Sequence, residues 1–193
     1  MGSQWGHDKV YLKAKSEGYR SRAAYKLVEI QKRFDVIHRS DNVIDLGAAP
    51  GSWLQVVRTL TDGRVLGIDL SPIPPIEGVE TIEGDLTDPH VYVQARALLG
   101  MVNVIISDAS PKLSGQRSYD QARAIALGEE ALGFACNVLK HGGNFVVKSF
   151  QGTDFPELLT ETKRHFHSVK TCVTQATRRG STELYIIAKN FVD

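Results

Sequence analysis

The sequence predicts a doubly wound α/β sandwich: a mostly parallel sheet covered by helices on both faces and finished by a C-terminal antiparallel hairpin. Short apolar runs alternate with helical stretches through the middle of the chain. The last two strand-like runs are joined only by the short turn TRRGS. At 193 residues, with no internal repeat, low-complexity tract or Pro/Gly linker, the chain is the size of one domain.

The elements follow in order. Residues 21–34, SRAAYKLVEIQKRF, read as a helix with Ser21 as N-cap and Leu27, Ile30 and Phe34 recurring on one face. NVIDL, RVLGIDL, VETIEG, VNVIISD and NFVVKSF are the strand candidates. SWLQVVRTL, DPHVYVQARALLG and the long YDQARAIALGEEALGFACNVLK lie between them as crossover helices. Asp154 to Phe166 reads as one more helix, and SVKTCVTQA with TELYIIAKNF forms the hairpin, added to one sheet edge.

Composition excludes several classes. Hydrophobic residues at 42% and charged ones at 23% describe a soluble globular protein. No apolar run approaches the roughly 20 residues that span a bilayer, and the N-terminal stretch lacks the apolar core of a secretory signal. Cys136 and Cys172 have no metal-ligand spacing and read as free thiols, which suits a reducing cytoplasm. No His/Cys/Asp cluster calls for a metal. Charge is uneven: residues 1–39 carry nine Lys/Arg against four Asp/Glu, a net of +5, which leaves −4 for the rest of a chain whose total is +1. A basic arm on a mildly acidic body suits a polyanion.

The stretch VIDLGAAPGSW, Val43 to Trp53, asks what rests on its glycine turn. In open α/β sheets ligands bind beyond the carboxyl ends of the strands, at the topological switch point. There the chain puts Asp45, Asp69, Asp85 and Asp108, one at each of four successive strands. A dinucleotide fold would show GxGxxG, with amides turned to a pyrophosphate. GAAPG lacks the middle glycine, and Pro50 has no N–H to offer. Four acids around one cleft repel phosphate and suit a cationic nucleoside. S-adenosyl-L-methionine fits, with Asp69 on the ribose hydroxyls, Asp85 toward the adenine and Trp53 as core packing or a wall of the methionine pocket.

If a methyl group moves, acceptor chemistry belongs beside Asp108. The Asn/Asp-Pro-Pro-aromatic turn of enzymes that methylate base nitrogens is replaced here by DASPK. Lys148, at the end of the apolar run in FVVKSF, is costly to bury unless it is paired and used. Lys26 in AAYKL and Glu183 in STELYIIA complete the set.

The motifs SRAAYKL, DLGAAPGSW, SDASPKLSG, FVVKSFQG and STELYIIA, in this order, resemble the FtsJ/RrmJ family of RNA 2′-O-ribose methyltransferases, from about Gly18 onward. The resemblance implies a Rossmann-like methyltransferase sandwich and a catalytic tetrad on Lys26, Asp108, Lys148 and Glu183. It places the cofactor on Gly51, Trp53, Asp69, Asp85 and Asp108, and favours Lys148 as the base. The departures are small: GAAPGSW where many members read GAAPGGW, and DASP where others read D-x-A-P. The compact length resembles members acting on large-subunit ribosomal RNA, most simply at a uridine, while relatives acting on tRNA anticodon loops or mRNA caps share the core. An inactive RNA-binding relative is the reading of another class.

The chemistry is consistent with the tetrad. A ribose 2′-hydroxyl has a pKa far above neutral and needs a base as it attacks. A lysine serves if burial and a neighbouring like charge depress its pKa. The expected arrangement is one methyltransferase domain over residues 1–193, acting as a monomer in the cytoplasm. Its arm of about residues 1–20 is expected to bind RNA through Lys9, Lys13, Lys15, Arg20 and Arg22, interleaved with Tyr11, Tyr19 and Tyr25. The loop Lys112–Ser118, beyond Asp108, is expected to be mobile until RNA binds, and Arg178 and Arg179 on the hairpin turn are expected to extend that track.

Overall fold

The computed structural model of the chain describes residues 9–111, 114–177 and 180–192, without the side chains at 9–11, 13, 117 and 118. Helices α1 (Lys9–Ser16) and α2 (Ala24–Phe34) lead into strand β1 (Val43–Leu46), helix α3 (Ser52–Leu60) and strands β2 (Val65–Asp69) and β3 (Val79–Glu83). Helix α4 (Pro89–Leu99), strand β4 (Val102–Ser107), helix α5 (Arg117–Val138) and strand β5 (Leu139–Phe150) follow. Helix α6 (Phe155–His165) and strands β6 (Phe166–Cys172) and β7 (Glu183–Phe191) end the chain.

The seven strands form one sheet in the order β3-β2-β1-β4-β5-β7-β6. The first five pair in parallel, and β7 pairs antiparallel with both β5 and β6. The expected hairpin is present, with β7 joined to β5 and β6 outermost. The chain winds outward from β1 through β2 to β3 and then returns to β4 on the other side of β1. The gap between β1 and β4 is therefore the switch point at which a cleft must open.

The sheet separates two apolar layers. Phe145, Val147, Ile186 and Ala188 pack with Ala131, Ala135 and Val138 of α5 and Leu158 of α6. Val146, Tyr185 and Ile187, whose side chains alternate to the opposite face, pack with Leu27 and Ile30 of α2 and Trp53, Leu54 and Val57 of α3. Each Val, Leu, Ile or Phe side chain among them, fully buried, contributes about 1.5–3 kcal/mol.

Two local expectations change. Helix α2 begins at Ala24, and Ser21 is not its N-cap. The Ser21 hydroxyl instead accepts from the Ala23 N–H (3.2 Å) and from the Ser52 hydroxyl (2.7 Å), which holds it in a turn against α3. Asp45 lies inside β1 rather than beyond its end. The N-terminal arm also contains α1, which the charge pattern alone did not reveal.

Candidate active site

The carboxyl edge of the sheet gathers side chains that are far apart in the chain. Lys148 projects from β5 and Tyr185 from β7 at paired positions, while Glu183 opposes Phe150 one pleat further along. Asp108 follows β4 directly, and Lys26 comes from α2 above the sheet. The Lys148 ammonium donates to the Asp108 carbonyl at 2.5 Å and lies 3.3 Å from Asp108 Oδ1. The Lys26 ammonium meets Glu183 Oε1 at 2.7 Å and Asp108 Oδ1 at 3.6 Å. Both lysines are only 8% exposed. Two buried cations and two half-buried anions thus share one patch, where opposite charges offset part of the desolvation cost that either pair alone would bear.

Tyr185 lies at the centre of this patch, and sequence reasoning missed it. Its hydroxyl donates to Asp108 Oδ1 at 2.6 Å, and the Lys26 ammonium lies 5.7 Å from its ring centroid. Burial first, then the charges of Asp108 and Glu183 and hydrogen bonding to them, pushes the phenol well above its ordinary pKa. It therefore remains a neutral donor. The available signal was the two-residue spacing of Glu183 and Tyr185, which puts both on one face of a strand.

Beside the patch lies a cleft lined by Ser21, Asp45, Ala48, Pro50, Trp53 and Asp108, among others. Its floor is the Asp45 carboxylate, 1% exposed, with neither oxygen hydrogen-bonded among the described residues. Burial first, and then the charges of Asp108 and Asp69, drives this carboxyl well above the usual carboxylate range. A buried acid without a partner is costly unless something fills the cleft opposite it. Asp69, at the end of β2, accepts from the Ala49 N–H at 2.9 Å and the Ser71 N–H at 2.8 Å, so it braces the glycine turn.

The turn itself depends on glycine twice. At Gly47 (φ 71°) a Cβ would fall 2.5 Å from that of Ala109, and at Gly51 (φ 102°) it would fall 2.5 Å from the Arg20 guanidinium. Ser52, the small departure noted in GAAPGSW, donates its hydroxyl to that of Ser21. Trp53 is core: its indole N–H donates to the Ala23 carbonyl at 2.8 Å, and its ring packs 5.8 Å from Tyr185 while one edge borders the cleft. Asp85 stands apart from the cleft lining on an exposed turn, where one oxygen accepts from the Thr87 N–H and hydroxyl. Gly84 ties that turn back to Asp69, donating to its carbonyl at 2.9 Å.

Of the basic arm, Lys15 is exposed, and Tyr19 packs edge-on against Tyr25 at 5.8 Å. The Tyr25 hydroxyl donates to Glu17 at 2.7 Å; burial, with Glu17 beside it, pushes the phenol up to about 12. Arg20, expected to face phosphate, is half-buried and bonded within the protein: its guanidinium donates to the carbonyls of Pro50, Pro74 and Pro75. The side chains of Lys9, Tyr11 and Lys13, the loop residues Lys112 and Leu113, the side chains of Arg117 and Ser118, and Arg178 and Arg179 lie outside the described residues. Among the described residues no group of His, Cys, Asp and Glu is placed to hold a metal, and no helix is long and apolar enough to cross a membrane.

Comparison with known proteins gives a consistent result. The FtsJ-like methyltransferase family model matches residues 19–191. The chain is 73% identical over 191 residues to the ribosomal RNA large subunit methyltransferase E of Methanoregula boonei, covering 99% of each chain. It is 65% identical to the protein of the same name from Methanosphaerula palustris, covering 100% of this chain and 95% of the relative. A solved structure from Plasmodium falciparum, described provisionally as a ribosomal RNA methyltransferase, superposes with a TM-score of 0.81 at 29% identity, over 90% of this chain and 98% of that one.

Proposed function

The chain belongs to the FtsJ-like methyltransferase family, and from that premise we propose that it methylates a ribose 2′-hydroxyl of RNA, a uridine of large-subunit ribosomal RNA, using S-adenosylmethionine. The observation that carries this reading is the buried Lys26–Asp108–Lys148–Glu183 cluster at the rim of a cleft floored by an unpartnered carboxylate. The relatives' shared name supports ribosomal RNA as the acceptor.

The cleft suits the cofactor on its own chemistry. Burial holds the Asp45 carboxyl well above the usual range, a cation opposite it favours the ionised form, and a sulfonium nucleoside with an ammonium group brings two positive centres. A dinucleotide would instead bring a pyrophosphate against Asp45 and Asp108, with Pro50 offering no N–H. Asp69 is the acid for the ribose diol, Gly51 and Trp53 border the methionine end, and Asp85 is carried over from the resemblance toward the adenine. When bound, the cofactor supplies an electrophilic methyl carbon and leaves as a thioether.

The protein's own residues do the rest. Lys148 is the general base, taking the 2′-hydroxyl proton as the oxygen attacks in line. Its ammonium is set against one carboxylate, Asp108, whereas Lys26 is held by Glu183 and also faces Asp108. Losing the Lys148 proton therefore leaves the Lys26–Glu183 pair intact. Asp108, held by Tyr185, orients the Lys148 amine and the acceptor. The whole chain acts as one methyltransferase unit and as a monomer, with residues 1–20 as the RNA-facing arm. Its setting is the cytoplasm, where Cys136 and Cys172 remain reduced thiols.

The test is transfer of tritiated methyl to large ribosomal subunits, free ribosomal RNA and tRNA, with the modified nucleotide mapped. Incorporation at a uridine 2′-oxygen of the large-subunit RNA is expected. Label confined to tRNA, or found on a base, would overturn the assignment.

A further inference from the structure

Arg20 lies between the basic helix α1 and the helix that carries Lys26, yet three of its N–H donors point inward. One guanidinium nitrogen donates to the Pro50 carbonyl (2.7 Å) and the Pro74 carbonyl (2.8 Å), and the other terminal nitrogen donates to the Pro75 carbonyl (2.9 Å). These carbonyls belong to two separate loops, the glycine turn after β1 and the segment between β2 and β3. Both loops contain proline, which has no N–H with which one loop could bond the other. Arg20 is an external donor to both, and its planar fork with fixed N–H directions serves them at once.

The contact is close. A Cβ at Gly51 would meet the Arg20 guanidinium at 2.5 Å, the Ile76 side chain at 3.0 Å and the Ile73 side chain at 3.4 Å. The backbone around Arg20 is fixed as well: Gln55 of α3 accepts from the Arg20 N–H and donates to the Gly18 carbonyl, each at 2.9 Å. The adjoining Ser21 is bonded to Ser52, and the Trp53 indole holds the Ala23 carbonyl. Gly18, Arg20, Ser21 and Ala23, on the segment joining the arm to Lys26, are thus each bonded to α3.

We propose that Arg20 is a positioning residue that couples the two ligands, holding both cofactor loops in register with the arm so that bound RNA and bound cofactor tighten each other. This rests on the proposed function for the identity of the ligands. Coupling of this kind is reciprocal: the factor by which one ligand improves the other is the same in both directions.

The test uses the full chain, S-adenosylhomocysteine and a single-stranded oligouridylate, each titrated alone and in the presence of the other. Wild type is expected to bind each ligand roughly tenfold more tightly when the other is present, within the usual range for coupled sites. Arg20→Lys keeps the charge but not the fork. It is expected to weaken S-adenosylhomocysteine binding severalfold and to bring the coupling factor close to one. Arg20→Ala supplemented with ethylguanidinium should regain cofactor affinity, which a merely unfolded or loosened variant would not do. Wild type that binds both ligands without coupling, or Arg20→Lys with coupling intact, overturns the proposal and leaves the functional reading standing. Wild type that binds neither ligand overturns both.

Discussion

Asp45 sets the terms at the residue scale. Its pKa is raised in the folded protein, so the fold holds a proton that the unfolded chain would release above about pH 4. The stability it contributes is complete below the unfolded value and is lost as pH rises toward the folded one. Asp45→Asn should therefore raise the melting temperature of the ligand-free protein near neutral pH while weakening S-adenosylhomocysteine binding, two changes of opposite sign read from one thermal-shift series. In wild type, a cation opposite Asp45 favours the ionised acid, so binding should release up to about one proton and tighten with rising pH. Calorimetry in buffers of different protonation enthalpy measures that release, and an invariant heat would refute it. At Lys148 the expectation is kinetic. Lys148→Ala should cut methyl transfer by roughly 10²- to 10⁴-fold with cofactor binding kept. Lys148→Arg should do nearly as badly, because a guanidinium retains its proton. Near-normal turnover of the arginine variant would move the base elsewhere.

At the scale of elements, the pairing of β5 with β7 places the cluster. Lys148 opposite Tyr185 and Phe150 opposite Glu183 put a lysine, a tyrosine and a glutamate on one face, and a slip of one residue would turn them all into the other layer. The buried pairs Val146–Ile187 and Val147–Ile186 hold that register. The N-terminal arm is tested as an element. Deleting residues 1–17 removes Lys9, Lys13 and Lys15 and spares Arg20. RNA affinity should fall, and the log–log salt slope should flatten by about 0.7 for each single-strand phosphate that the shortened protein no longer neutralises. Filter binding across a salt series checks it, with cofactor affinity in the absence of RNA as the control. An unchanged slope would make the arm a solvated face.

The whole molecule turns on the switch between β1 and β4, which opens one cleft between Asp45 and Asp108 and leaves both apolar layers closed. A ligand that binds there should stabilise the entire fold. S-adenosylhomocysteine at about 100 times its dissociation constant should add about 2.7 kcal/mol. For a chain of this size that is a rise of several degrees in melting temperature, at about 2–4 °C per kcal/mol. NAD should give none, and an equal rise with NAD would refute the cofactor assignment.

The alternation of strands and helices, the acid at each of four successive strands and the five motifs were legible in the sequence because each is local, a matter of period, residue type and order. They were enough to name Lys26, Asp108, Lys148 and Glu183. Only the tertiary structure decided that these four meet, since Lys26 and Glu183 touch at 2.7 Å across most of the chain's length through a register no local pattern encodes. It also decided that Asp45 is an unpartnered acid inside a strand, that Tyr185 holds Asp108 and that Arg20 faces inward. Whether a polar group meets water, a ligand or another residue depends on what the fold packs around it, and that environment comes from segments remote in the chain.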